Sequence, residues 1–123
     1  GISRALLNFG GSSLHAIGAP LDAPAWRVAT ESGVLELAPG SSVSISSSFG
    51  QFVEIAGERF SHIIDPRSGW PIRREVRATV WAPNGAEAEI ASTAQVVRNG
   101  ERCTPASIQH RSRAMRVRVE CGP

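Results

Sequence analysis

A chain of 123 residues, 41% apolar and 20% charged with a formal net charge of +2, is one domain's worth of polypeptide with ordinary globular composition. No apolar run approaches the roughly 20 residues that a membrane-spanning helix requires. All 13 basic residues are arginine, and residues 73–123 hold nine of them against five acids, a local charge of +4 that suits either phosphate groups or a solvated face. No aromatic residues interleave with these arginines, so no nucleic-acid surface is expected.

The chain opens with the apolar run Ala5–Phe9, a Gly10-Gly11 turn and a second strand at Leu14–Ile17, closed by Gly18 and Pro20. Trp26–Ala29 is a further short strand. Period-two alternation over Val34–Leu37, Val43–Ser48 and Gln51–Ile55 predicts half-buried strands. A turn at Gly57-Glu58 then leads into a strand over Arg59–Ile64, forming a hairpin before Asp65-Pro66 and Ser68-Gly69.

Val76–Ala82 places Val76, Ala78, Val80 and Ala82 on one face and predicts a central strand. After Pro83-Asn84-Gly85, helical spacing of Ile90, Ala91, Ala94 and Val97 predicts one main helix over Ala86–Val97, ended by Asn99-Gly100. Residues 101–113 read as polar and irregular, and Met115–Val119 as a last strand. The sum is an α+β fold, mostly antiparallel sheet with one main helix, and nothing divides residues 1–123 into two domains.

Cys103 and Cys121 match no common zinc spacing. A disulfide between them would contribute about 3 kcal/mol in an oxidising compartment, and two buried thiols are the alternative. The chain begins at Gly1 without a methionine, so an upstream segment is expected.

Three clusters carry residue types suited to chemistry. In Ser61-His62-Ile63-Ile64-Asp65-Pro66-Arg67-Ser68-Gly69-Trp70-Pro71, stiff backbone holds polar side chains at a strand end, with His62 able to accept a proton and Asp65 placed to orient it. The plain alternative is that both satisfy a turn. In Asn8-Phe9-Gly10-Gly11-Ser12-Ser13, two glycines let backbone amides approach a phosphate or flavin, or merely turn the chain. Glu89 and Thr93, at i and i+4 on the helix, put a carboxylate and a hydroxyl on one face, fit for Mg²⁺ beside a pyrophosphate or simply for solvent.

These clusters, with the helix passing through Ala91-Ser92-Thr93-Ala94, come in the order and approximate spacing of the FAD:protein FMN transferases, and residues 5–97 resemble the C-terminal part of that ApbE-like family. The resemblance implies a longer domain whose N-terminal half, absent from these 123 residues, supplies one wall of the flavin cleft and a backbone metal contact. It implies Mg²⁺-dependent transfer of FMN from FAD to a Ser or Thr hydroxyl of an acceptor protein, with release of AMP.

Carried over by position, His62 is the base and Asp65 shares and organises its pocket. Asn8, Gly10, Gly11, Ser12, His62 and Arg67 contact the FAD, and Glu89 and Thr93 bind the metal, Glu89 standing where the family usually has Asp. The resemblance also points to a membrane-associated target and to the periplasm or the outer face of the cytoplasmic membrane, a setting that suits the disulfide. The competing readings are a module that binds FAD without cleaving it and a degenerate remnant of the family.

Overall fold

The computed structural model describes residues 1–30, 33–100, 108–111 and 115–122. Its centre is a six-stranded antiparallel sheet in the order β1 (Ala5–Phe9), β2 (Ser13–Ile17), β5 (Ser42–Ser47), β10 (Val76–Ala82), β12 (Arg116–Cys121), β11 (Ile108–Arg111). Three two-stranded ribbons attach to it: β3 (Trp26–Thr30) with β4 (Gly33–Leu37), β6 (Phe52–Ile55) with β7 (Glu58–Ser61), and β8 (Ile64–Asp65) with β9 (Trp70–Pro71). The single described helix, α1 (Gly85–Asn99), packs on β5 and β10. The architecture is α+β, as the sequence pattern implies.

Each sheet face is covered by a different element. On the helix side, Val76, Ala78, Val80, Val117 and Val119 meet Val96 of α1 and are closed off by Ile63 and Ile72. On the other side, Leu14, Ala16 and Val43 pack under Leu35 and Leu37 of β4. Each such aliphatic side chain, fully removed from water, contributes about 1.5–3 kcal/mol before the cost of ordering it. Val76–Ala82 lies inside the sheet between β5 and β12, as the uniform apolar alternation of that strand requires.

Helix α1 begins with a reciprocal cap. The Asn84 Oδ1 accepts the Glu87 amide at 2.9 Å, while the Asn84 Nδ2 donates to Glu87 Oε1 at 2.9 Å. Glu87 in the first turn and Arg98 in the last also complement the helix dipole.

Several expectations change. The buried stripe of α1 is Ala88, Ser92 and Val96, whereas Ile90 is 72% exposed, because the helix docks on a strand whose facing residues are serines. Strand β5 is buried on both faces, with Ser42, Ser44 and Ser46 on the helix side and Val43 on the opposite side. The expected strand over Arg59–Ile64 is broken: β7 stops at Ser61, and Ile64–Asp65 pairs instead with Trp70–Pro71. The hairpin turn sits at Ala56-Gly57, both with positive φ (53° and 81°), and Glu58 already belongs to β7. Ile108–Arg111, expected to be irregular, pairs with β12 as an edge strand, where ladder hydrogen bonds override a polar sequence. Cys121 is disulfide-bonded, and Cys103 lies outside the described residues.

Candidate functional site

The three sequence clusters converge on one cavity of about 720 Å³. Gly10 and Ser12 reach it from the β1–β2 turn, Ser46 from β5, Gln51 and His62 from the base of the β6–β7 hairpin, and Glu89, Thr93 and Val97 from α1. A second cavity of about 470 Å³ holds Asn8, Gly11, Thr30 and Arg77 and shares Gly10, Ser12, Ile45 and Gly50 with the first. The shared lining makes the two adjoining, and each is large enough for part of a small-molecule ligand.

The β1–β2 turn is built by its own residues. Asn8 Oδ1 accepts the Gly11 amide at 2.7 Å, and Gly10 and Gly11 adopt φ of 67° and 81°, the left-handed region that glycine enters without strain. An added Cβ on either glycine would meet nothing within 4 Å, so the turn offers bare backbone to the space beside it. Asn8 therefore shapes the turn and lines only the second cavity.

His62 points outward because its neighbours point inward: Ser61 and Ile63 are buried, and the Ile63 amide donates to Ser61 Oγ at 2.9 Å. Its Nδ1 lies 2.8 Å from the main-chain carbonyl of Gln51. A carbonyl only accepts, so Nδ1 carries the proton, and in the neutral ring Nε2 is left with its lone pair. That tautomer is the one a general base needs. Gln51 was not singled out in the sequence, and nothing local marks it, since its role depends on the hairpin bringing residue 62 back beside residue 51.

Asp65 and Arg67 do not share this cavity, contrary to expectation. Asp65 is 2% exposed and lines a different cavity, of about 490 Å³, with Trp70, Ile72, Arg73 and Gly100. Its carboxylate accepts from the Arg67 amide at 2.9 Å and from the Arg67 guanidinium, with Nε donating to Oδ1 at 2.9 Å and Nη2 to Oδ2 at 2.5 Å. The Asp65–Pro66–Arg67 backbone turns sharply enough for this fork to close within one loop. The guanidinium and amide bonds from Arg67 hold the Asp65 carboxyl below its usual value of 3.8. Arg67 Nη2 also donates to the Val97 carbonyl at 3.4 Å, tying the loop to the last turn of α1, where a cation is favoured. The pair thus positions the loop that carries His62 and does not face the cavity.

Glu89 and Thr93 share a helix face and both line the cavity. Glu89 Oε2 accepts from Ser13 Oγ at 2.5 Å and from Ser44 Oγ at 2.6 Å. Thr93 Oγ1 lies 3.1 Å from Ser46 Oγ, and Ser92 Oγ lies 2.7 Å from Ser46 and 3.1 Å from Ser44. Among the described residues no group of three or more His, Cys, Asp or Glu gathers, so no all-protein cage forms. One carboxylate and one hydroxyl on a cavity wall are hard oxygen donors, and they fit Mg²⁺, which keeps several waters and takes the rest of its shell from substrate phosphates. Ser44 and Ser46 of this network were not singled out in the sequence, although the period-two spacing of serines at 42, 44, 46 and 48 is visible there.

Comparison with known proteins shows the family. The family model described as "ApbE family" matches residues 1–116. The chain is 37% identical over 108 residues to the FAD:protein FMN transferase of Rhodobacter capsulatus, covering 82% of this chain and 20% of that protein. To the FAD:protein FMN transferase of Escherichia coli strain K12 it is 35% identical over 112 residues, covering 83% of this chain and 31% of that protein. Among solved structures it resembles an ApbE protein from Thermotoga maritima, with TM-score 0.65 and 25% identity over 75% of this chain and 32% of that one. It also resembles the apo flavinyl transferase ApbE of Pseudomonas stutzeri, with TM-score 0.59 and 28% identity over 91% of this chain and 39% of that one. The chain therefore spans about a fifth to a third of the curated relatives it matches.

Proposed function

The chain belongs to the ApbE family, and on that premise we propose that it forms the C-terminal portion of an enzyme that moves FMN from FAD onto a Ser or Thr hydroxyl of an acceptor protein, releasing AMP. The observation that carries this reading is the convergence of Gly10, Ser12, His62, Glu89 and Thr93 on one cavity from segments up to 83 residues apart in sequence. The remainder of the flavin cleft comes from the longer polypeptide that the relatives' length implies.

In this reading the FAD lies along the adjoining cavities with its pyrophosphate near Glu89 and Thr93, and the Gly10-Gly11 backbone packs against it. His62 Nε2 takes the proton of the acceptor hydroxyl. The freed oxygen forms a bond to the phosphorus on the FMN side of the pyrophosphate, and the bridging P–O bond breaks with its electron pair leaving on AMP. Mg²⁺ held by Glu89 and Thr93 supplies charge neutralisation of the pyrophosphate when bound. The Gln51 carbonyl keeps His62 in the required tautomer, and the Asp65–Arg67 clamp keeps the loop in place against α1.

The test is to incubate the protein with its upstream sequence restored, FAD, Mg²⁺ and a Ser/Thr acceptor peptide, following peptide mass and AMP together. The expected outcome is an FMN mass on the peptide matched by AMP, reduced roughly 10²–10⁴-fold in His62→Gln with FAD binding retained. FAD binding without AMP in the unaltered protein would instead make it a binding module, and a His62→Gln enzyme as fast as the parent would remove the base from this role.

A further inference from the structure

Between β5 and α1, where two apolar surfaces would ordinarily meet, lies a connected set of buried hydroxyls. Ser44 and Ser92 are 0% exposed and Ser46 is 9% exposed, and with Thr93 they form a chain ending on the Glu89 carboxylate. Each hydroxyl has one proton, and a carboxylate or a carbonyl only accepts, so the proton directions follow from counting.

Ser44 donates to Glu89 Oε2 at 2.6 Å, which commits its proton. Any proton in the Ser44–Ser92 contact must then come from Ser92, and Ser92 alone can supply the proton in its contact with the Glu89 main-chain carbonyl at 3.0 Å. If Ser92 instead donated to Ser46, both of those contacts would be left without a proton. The arrangement that satisfies most contacts has Ser46 donating to Ser92 at 2.7 Å, which leaves the Ser46 lone pairs facing Thr93. Thr93 therefore donates to Ser46 at 3.1 Å and turns its own lone pairs toward the cavity. At the other end, Ser13 and Ser44 both fall on Oε2 of Glu89, fixing the carboxylate by one oxygen.

We propose that Ser44, Ser46 and Ser92 are positioning residues whose hydrogen-bond chain orients Thr93 and Glu89 so that both present lone pairs to a single divalent cation in the cavity. This rests on the reading that Glu89 and Thr93 hold the cation, and it adds why a hydroxyl, which is as able to donate as to accept, serves there as a ligand. It also explains why the strand face under the helix is serine and not valine: an apolar face would leave the Thr93 proton free to turn into the site.

The experiment is a titration of Mn²⁺ followed by electron paramagnetic resonance, with FAD present and the full-length protein, which reports metal binding whether or not transfer occurs. Ser92→Ala and Ser46→Ala are each expected to weaken Mn²⁺ binding about 10-fold or more, and Ser46→Thr, which keeps the hydroxyl, to restore it. Should Ser92→Ala not fold, Ser46→Ala, at the less buried end of the chain, carries the same expectation. Equal Mn²⁺ affinity in the parent and the alanine variants would overturn the positioning role, whereas no Mn²⁺ binding by the parent with FAD would overturn the cation reading beneath it.

Discussion

Replacing Ser48 by alanine removes a fully buried hydroxyl that ties the end of β5 to the start of β10. Ser48 is 0% exposed; its Oγ donates to the Arg74 carbonyl at 2.7 Å and accepts the Val76 amide at 2.9 Å. Alanine fits the space but leaves the buried Val76 N–H without an acceptor, a cost of about 1–3 kcal/mol, and takes one bond from the Arg74 carbonyl, about 1 kcal/mol more. The total of about 2–4 kcal/mol is a large share of the roughly 5–15 kcal/mol that holds a domain together. At about 4 °C per kcal/mol for a chain of this size, the melting temperature should fall by roughly 8–16 °C. Urea denaturation monitored by tryptophan fluorescence measures the change directly. A loss below about 0.5 kcal/mol with an unchanged denaturant slope would refute the claim that this hydroxyl's bonds, and not its bulk, make it necessary.

Three further outcomes follow from single contacts. Because Arg67 lowers the Asp65 carboxyl in the folded state, the pair's contribution is fully present above the ordinary carboxylate value of 3.8 and is lost as pH falls through the lower folded value. Melting curves from pH 6 to pH 2 should therefore show Asp65→Asn well below the parent at pH 6 and converging on it at the acid end; a constant gap would contradict this. Ala56 holds φ of 53° beside Gly57 in the β6–β7 turn, so Ala56→Asn, which tolerates that region, should stabilise by about 0.5–1 kcal/mol in denaturant titration. Gly100→Ala should destabilise by about 1–3 kcal/mol in the same assay, since its Cβ would stand 2.8 Å from Ile72 Cδ1 and 2.9 Å from Ile72 Cγ2.

Local chemistry was legible in the chain. Alternation in Val76–Ala82, the apolar run Ala5–Phe9, the Gly10-Gly11 turn and the helix after Pro83-Asn84-Gly85 depend on residues a few positions apart, and each lies where the sequence places it, within a residue or two at the ends. So does the α+β class, and the three clusters that line or adjoin the site carry enough pattern to indicate the family. The sequence by itself thus determined most of the strand segments, where the helix begins, and which residue types are available for chemistry, but not the edge strand Ile108–Arg111 or the break after Ser61.

Which side chains meet was decided by the tertiary structure. Helical periodicity favoured Ile90 as a core residue, yet the helix turns Ser92 inward, because β5 offers a row of serines and hydroxyls pair with hydroxyls across that seam. Asp65 and His62 stand three residues apart in a segment whose burial alternates across the break between β7 and β8, which sends them to opposite sides, and Arg67 pairs with Asp65. The same holds for Gln51 with His62 and for Ser13 and Ser44 with Glu89: the partners are 11, 76 and 45 residues apart. Hydrogen-bond partners at such separations are chosen by the packing of whole elements, and a local pattern contains no information about that packing.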